Sequence, residues 1–412
     1  MPLEGDAGYG IGAVQGTAVR GILVDGKRYL VILYGELSLV HLFKDPCSYA
    51  YYLARDCGWV STVAYFGSAE LHFDSFERYC RLIRISEESV YKKQVILGKK
   101  FAAKSAKSTD VLMLVHYGTA SYATARVAKE HNSNLLAYCK LDMSDGGFAH
   151  FNAQTPWRRL MQIGEQIKSR PIDLFTVESR YFCDVLQQQP VFRKKQRLFY
   201  LPNGVSEVGI NLAGLDAMPK EKLVVTIGRI GTEQKNNELF LNALRKLYDD
   251  CPNLMREWRF LLIGPYTAEF ERKLRDLHRD VPNSSDHVRL TGNMDTRQEL
   301  YTFYARASIL CMTSVWESFG IATVEGMYFG CCPVITDYGS VAHDQIPAGA
   351  RWGKIVESSG CAVAQALRDF MEQDNLQELQ SACKRYARMT FSYHALSKKL
   401  DGLLKATEAN MK

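Results

Sequence analysis

No stretch of this 412-residue chain approaches the ~20 apolar residues needed to cross a bilayer. The longest apolar runs, such as Tyr29–Tyr34 and Val111–Val115, have strand length. The opening MPLEGDAGYG has no basic segment followed by an apolar one, so no secretory leader is expected. The 11 cysteines form no CxxC pair, and no Cys/His set has zinc-finger spacing. Most lie in apolar segments, for example Cys139, Cys311, Cys331 and Cys332, and read as buried reduced thiols of a cytosolic protein. There is no Asp-x-Asp, no low-complexity tract and no repeat of 20–50 residues. Gly8, Gly10 and Gly12 are spaced two apart, but Ala13 and Gln15 stand where a dinucleotide loop needs its third glycine. Residues 1–28 therefore read as an irregular leader.

What is present is ordinary globular composition, 47% hydrophobic and 23% charged, which excludes general disorder. The net charge of +6 is lopsided. Residues 1–200 hold 26 Lys+Arg against 19 Asp+Glu, and residues 201–412 hold 25 against 26. A surplus of this size and dispersion is no nucleic-acid footprint. It fits an anionic membrane surface, an anionic substrate, or a solvated face with no partner.

From about Lys27 short apolar runs alternate with amphipathic ones. Arg28–Tyr34, Leu37–Phe43, Ser61–Phe66, Val111–Val115, Asn134–Leu141, Asp173–Val177 and Arg197–Leu201 are strand-like and continuously apolar, as strands buried on both faces are. Helix patterns lie between them at Ser48–Cys57, Ala120–His131, Trp157–Ser169 and Arg180–Gln188. The rhythm restarts after Pro202-Asn203-Gly204. The later strands are Val224–Ile227, Phe260–Ile263, Val288–Thr291, Ile309–Met312 and Pro333–Ile335. The alternation predicts α/β architecture with two doubly wound, Rossmann-like parallel-sheet domains, residues 1–205 and 206–385. Residues 386–412 form a closing helix expected to pack back on the first domain. Ligands of such sheets bind beyond the carboxyl ends of the strands, so function belongs in a cleft between the two domains.

The strongest signal lies there. Strand Ile309–Met312 runs into Ser314-Val-Trp-Glu317-Ser-Phe319-Gly320-Ile321, and a helix opens near Gly320. A helix start offers free N–H groups and the positive dipole end, which suits a diphosphate. Glu317 precedes that site and Glu325 follows within the helix. Carboxylates cannot bind phosphate, but they can accept hydrogen bonds from sugar hydroxyls. After Val224–Ile227 comes Gly228-Arg229-Ile-Gly-Thr-Glu-Gln-Lys235. Arg229 and Lys235 there can neutralise a leaving diphosphate.

With these motifs in place, the chain resembles the retaining glycosyltransferases of family 4, of bacterial polysaccharide type, which have the GT-B fold. The resemblance covers about residues 37–400. It rests on Val177-Glu-Ser179, Leu201-Pro-Asn-Gly204-Val, Gly228-Arg229 with Lys235, and Glu317-x7-Glu325 ending in Gly330-x-x-Pro-Val. Ile263-Gly264-Pro and Leu290-Thr-Gly292 fall at strand ends as well. The resemblance implies that Glu317 binds the donor sugar and Glu325 the ribose. It implies that Arg229, Lys235 and the backbone at Phe319, Gly320 and Ile321 hold the diphosphate, beside Gly228. Asn293 and Met294, with Gly264 and Tyr266, would border the base. His116, after Val111–Val115, would face the reacting sugar. Lys140, Asp142 and Lys44-Asp45 would reach the acceptor. One departure stands out: the Gly-Gly loop of many relatives is replaced by Phe43-Lys-Asp-Pro-Cys47. Asn236 also replaces the commoner glycine after Lys235.

The expectation is a retaining, metal-independent hexosyltransferase. It takes a UDP or GDP sugar as co-substrate, needs no other cofactor and binds no nucleic acid. Its acceptor would be a glycan or a polyprenyl-diphosphate-linked glycan. Trp157-Arg-Arg-Leu-Met161 and Arg193-Lys-Lys-Gln-Arg197 would support peripheral membrane contact on the cytoplasmic side. The alternative is a non-catalytic GT-B subunit supporting a partner glycosyltransferase. A nucleotide-sugar epimerase is disfavoured by the Glu-Ser-Phe-Gly block.

Overall fold

A computed structural model describes residues 27–88, 90–116, 118–142, 167–193 and 197–411. The leader at 1–26, most of the helix expected at Trp157–Ser169, and residues 194–196 of the second basic cluster lie outside them.

Two parallel sheets organise the chain. The first contains β1 (Tyr29–Glu36), β2 (Val60–Phe66), β3 (Cys80–Ser86), β4 (Val111–Val115), β5 (Leu136–Lys140), β6 (Leu174–Val177) and β7 (Leu198–Tyr200), in the order β3-β2-β1-β4-β5-β6-β7. The second contains β8 (Glu221–Ile227), β9 (Arg259–Ile263), β10 (Val288–Gly292), β11 (Ala307–Met312), β12 (Cys332–Thr336) and β13 (Lys354–Val356), in the order β10-β9-β8-β11-β12-β13. Every strand pair is parallel. β5, β11 and β12 are buried at every residue, the state their largely apolar sequences call for. Helices α1 (Cys47–Cys57), α2 (Tyr91–Ser105), α3 (Thr119–His131) and α4 (Arg180–Gln187) cover the first sheet. Helices α5 (Asn237–Asp250), α6 (Ala268–Asp280), α7 (Arg297–Arg306), α8 (Ile321–Tyr328), α9 (Gly360–Met371) and α10 (Leu376–Phe391) cover the second.

The last helix, α11 (Tyr393–Ala409), lies in the core of the first sheet with Tyr49, Tyr52 and Leu53 of α1, through Tyr393, Leu396, Leu400 and Leu404. Its Asp401 accepts from the Trp59 indole at 2.8 Å. The domain break expected at 386 falls inside the continuous helix α10, and the chain leaves the second domain at Ser392.

One expectation needs correction, and three elements had not been expected. Leu37–Phe43 is no strand: β1 already has β2 and β4 on its two sides, so the second apolar run finds no free side of β1 to pair with. It turns instead into a 3-10 helix, Leu39–Phe43, closed by a Ser38 N–H to His41 Nδ1 bond of 3.0 Å. β3 and α2 were not read from the sequence. Arg81 and Arg84 break the apolar run of this edge strand. Gly98 interrupts the α2 pattern because the helix approaches Leu33, whose Cδ2 would lie 3.1 Å from a Cβ there. The three-residue strand β13 escaped for its length.

All 11 cysteines are free, and only Cys361 is exposed. Burial pushes the Cys139 and Cys332 thiols up to about 12, so neither is a thiolate nucleophile at neutral pH.

Candidate active site

The loops leaving β8, β9, β10 and β11 form one side of the cleft. Gly228 and Gly264 bring the first two together. A Cβ on Gly264 would stand 2.0 Å from the Gly228 carbonyl oxygen, so only glycine fits. The loops are then laced by Gly228 N–H to Ile263 O at 3.0 Å and Ile230 N–H to Pro265 O at 2.8 Å. Lys235 folds its stem over Gly228. Asn236, in the left-handed region at φ 44°, starts α5. An Asn tolerates that conformation, which explains how it replaces glycine here.

The β8–α5 loop is tied to the β11–α8 loop. Val315 N–H donates to Gln234 O at 2.8 Å, the Gln234 amide to Trp316 O at 3.1 Å, and Thr313 Oγ1 to Lys235 O at 3.0 Å. These bonds carry Lys235 to Glu317: the ammonium pairs with Glu317 Oε1, which also accepts from Ser314 Oγ at 2.7 Å. Both side chains are mostly buried. Arg229 is exposed and bonded to Gln234.

Gly320, at φ 73°, turns the chain into α8. Gln345 Nε2 donates to the Phe319 and Gly320 carbonyls, and Gln345 Oε1 accepts from Tyr338 OH at 2.5 Å. In a planar trans peptide N–H points opposite to C=O. The Gly320 and Ile321 N–H groups therefore face away from Gln345, as the free donors of a helix start. The Phe319 ring is buried in the second-domain core, so this residue offers only its backbone.

Glu325 sits one turn further, partly buried, its oxygens accepting from Tyr301 OH at 2.8 Å and Tyr304 OH at 3.3 Å. Burial raises its pKa above the ordinary carboxyl range, against the opposing pull of Arg297 and the two hydroxyls. Tyr266 after β9 is 43% exposed, Asn293 after β10 is exposed, and Met294 packs against the domain core.

Across the cleft, the first domain opens a cavity of about 360 Å³ at the ends of β1 and β4. His116, Tyr34, Glu36, Tyr91, Gln94 and Ser121 help line it. His116 is exposed and held at φ 65°, with its N–H on Lys140 O at 3.0 Å and its carbonyl on Ser121 Oγ at 2.8 Å. A non-glycine residue in that region is strained, which is common at sites that aim a side chain. Lys140 does not reach an acceptor. It is 1% exposed and lies 3.1 Å from Asp45 Oδ2, below the cleft surface. Burial pulls Lys140 down, but Asp45 and Glu178 outweigh it and hold it above the ordinary lysine value. Asp142 is exposed at the rim of this cluster.

The sequence motifs missed Tyr301, Tyr304, Arg297 and Gln345, and named Ser314 without its bond to Glu317. Tyr301 and Tyr304 carried one signal, two tyrosines three apart on one helix face. The others become neighbours of the site only through packing. Among the described residues no three or more His, Cys, Asp and Glu side chains converge as a metal-ligand group.

Two facing parallel sheets with glycine-rich loops and a helix start at the cleft define the GT-B class of fold, that of many glycosyltransferases. A glycosyltransferase from Rickettsia africae superposes over 93% of this chain and 100% of its own, with TM-score 0.66 at 15% identity. That likeness concerns the fold. A model of the glycosyl transferases group 1 family matches residues 213–390, within the second domain. A Campylobacter jejuni GalNAc-alpha-(1->4)-GalNAc-alpha-(1->3)-diNAcBac-PP-undecaprenol alpha-1,4-N-acetyl-D-galactosaminyltransferase is 30% identical over 129 residues, 31% of this chain and 32% of that protein. A Mycobacterium tuberculosis phosphatidyl-myo-inositol mannosyltransferase is 24% identical over 208 residues, 48% of this chain and 52% of that one. The chain thus spans about a third to a half of the length of these relatives. No described helix is long and apolar enough to cross a membrane.

Proposed function

We propose that this chain is a retaining glycosyltransferase that moves a hexose-type sugar from a nucleoside diphosphate sugar to a glycan or lipid-linked acceptor. The observation that carries the reading is the Lys235–Glu317 pair set beside the open N–H groups of Gly320 and Ile321. The Lys235 ammonium and the fixed backbone donors suit the two phosphates, and Arg229 adds a second cation. The carboxylate of Glu317 suits sugar hydroxyls, and Glu325 suits the ribose. When the diphosphate arrives, the Lys235 ammonium can donate to it while keeping one bond to Glu317, since it has three donors.

In the proposed reaction the bond from the sugar's anomeric carbon to the phosphate oxygen breaks. The acceptor oxygen bonds to that carbon on the same face, and its proton passes to the departing phosphate. Arg229 and Lys235 stabilise the charge that develops, in place of a metal. Positioning and preorganised electrostatics supply most of the acceleration. His116 faces the reacting sugar, and the cavity beside it takes the acceptor. Two relatives, an N-acetylgalactosaminyltransferase of an undecaprenol-diphosphate-linked glycan and a phosphatidyl-myo-inositol mannosyltransferase, support a lipid-linked acceptor.

A donor screen tests the reading. Release of UDP, GDP or ADP is measured from a panel of nucleotide sugars with an acceptor glycan. Glu317→Ala is expected to abolish transfer and keep its circular dichroism. Wild-type turnover in that variant would sink the assignment.

Membrane contact is the finer part of the proposal. Within the described residues α2 supports it, with Lys92, Lys93, Lys99, Lys100 and Lys104 beside exposed Val90, Tyr91 and Ile96. Co-sedimentation with phosphatidylglycerol vesicles should fall with salt; binding equal to that on phosphatidylcholine would remove the idea.

A further inference from the structure

Arg297, the first residue of α7, touches three parts of the molecule at once. Its guanidinium lies 4.4 Å from the ring of Phe43, on the first-domain loop that carries Lys44 and Asp45. It donates to the Ser206 carbonyl and, at 3.3 Å, to the Val208 carbonyl, both in the link between the domains. It donates at 2.7 Å to Tyr301 OH, which in turn donates at 2.8 Å to Glu325.

The geometry points to Arg297 as a positioning residue that couples the seating of the first-domain loop 43–46 to the alignment of the donor-site carboxylate Glu325. This deepens the proposed function and rests on Glu325 meeting the donor.

Each contact has a separate physical role. Arginine has five donors in a rigid fork and a flat face, so it can serve two carbonyls and a hydroxyl while an aromatic ring covers its face. Lysine can match its charge but not that simultaneous geometry. The Phe43 end is not a loose contact, because the loop is fixed from behind. Asp45 pairs with buried Lys140, Pro46 is buried, and Phe43 packs edge-on to Phe73 at 5.0 Å between ring centres. The link end is fixed as well. Glu207 N–H donates to Tyr52 OH of α1 at 2.8 Å, the Glu207 carboxylate accepts from Tyr328 OH of α8, and Val205 N–H donates to Phe391 O at 2.7 Å. Between two anchored segments, Arg297 is the group that opening of the cleft at Phe43 would release. Release frees Tyr301 OH from its donor and lets the Glu325 carboxylate turn. Closing restores both. In this way the first domain, which holds the acceptor side, sets the readiness of the donor side.

The test uses the full chain as wild type, Phe43→Leu, Arg297→Met, Arg297→Lys and the Phe43→Leu/Arg297→Met double variant. UDP, GDP and ADP are titrated by calorimetry, and the interdomain distance distribution is measured by small-angle X-ray scattering. Phe43→Leu and Arg297→Met should each weaken the bound nucleotide at least about 5-fold and widen the distribution. The double variant should be no weaker than Arg297→Met alone, since both act through one group. Arg297→Lys should keep the melting temperature yet recover only part of the affinity. Additive losses, or a wild-type distribution in Arg297→Met, overturn the coupling. A wild type that binds none of the three nucleotides, with Arg297→Met still widened, leaves the coupling standing and removes the donor reading.

Discussion

Glu317 and Glu325 are eight residues apart in sequence, yet the fold gives them different partners. Glu317 is met by the Lys235 ammonium and a serine hydroxyl. Glu325 is met by tyrosine hydroxyls, and burial is the stronger influence, so its folded pKa is raised above the ordinary 4.5. The sign follows. Between the ordinary value and the raised one the folded state holds a proton that the unfolded state has lost, so the Glu325 contribution to stability falls as pH rises through that window. Binding of ribose hydroxyls needs the ionised carboxylate as acceptor, so nucleotide affinity should move the other way and fall on acidification through the same window. Calorimetric titrations across pH should show the loss beginning above the usual glutamate range, and Glu325→Gln should flatten it. An unchanged profile in Glu325→Gln would remove the ribose role.

At the scale of elements, the cleft is made of loops that strands aim and glycines admit. The β8 and β9 loops meet at Gly228 and Gly264, and α8 starts where Gly320 turns. On the first domain the corresponding loop has no glycine pair. A 3-10 turn and the buried Asp45–Lys140 pair hold it instead. Such a pair tolerates removal of both partners better than removal of one. Lys140→Met should leave Asp45 an uncompensated buried charge and cost about 3–5 kcal/mol. Lys140→Met/Asp45→Leu should recover much of that. Denaturant unfolding checks both, and a loss under about 1 kcal/mol in the single variant would mean the loop is held by packing alone.

On the scale of the whole molecule, the two sheets are joined twice, by the link at 201–211 and by the step from α10 to α11 at Ser392. Val205 pairs with Ser392 in an isolated parallel bridge, so the two crossings lie side by side. The carboxyl-terminal helix thereby completes the first domain rather than the second. Leu400, fully buried against the first-sheet core, makes a clean probe. Leu400→Ala should cost about 2–5 kcal/mol. Proteolysis should then speed up in residues 27–200 and stay unchanged in 221–371. Equal acceleration in both would show that the domains unfold as one unit.

What the sequence by itself determined is the part encoded locally. Continuous apolar runs dictated buried parallel strands, because only a strand covered on both faces hides such a run from water. Gly228, Gly264 and Gly320 marked strand-end turns, and the spacings put Arg229, Lys235 and Glu317 in loops beside a helix start and Glu325 within that helix. Elements whose pattern was broken by a tertiary need stayed illegible: Gly98 thins α2 for Leu33, and the arginines of β3 belong to an edge. Only the tertiary structure decided that the apolar run Leu37–Phe43 cannot pair beside β1, since that depends on β2 and β4 occupying both of its sides. It decided that Lys140 is a buried anchor rather than an acceptor contact, because the burial of a strand-end lysine is set by the loop that covers it. It also brought Arg297, Tyr301 and Phe43 to Glu325, from positions up to 282 residues apart in the chain. Contacts of that separation leave no local pattern, because nothing in the spacing of either segment records the other.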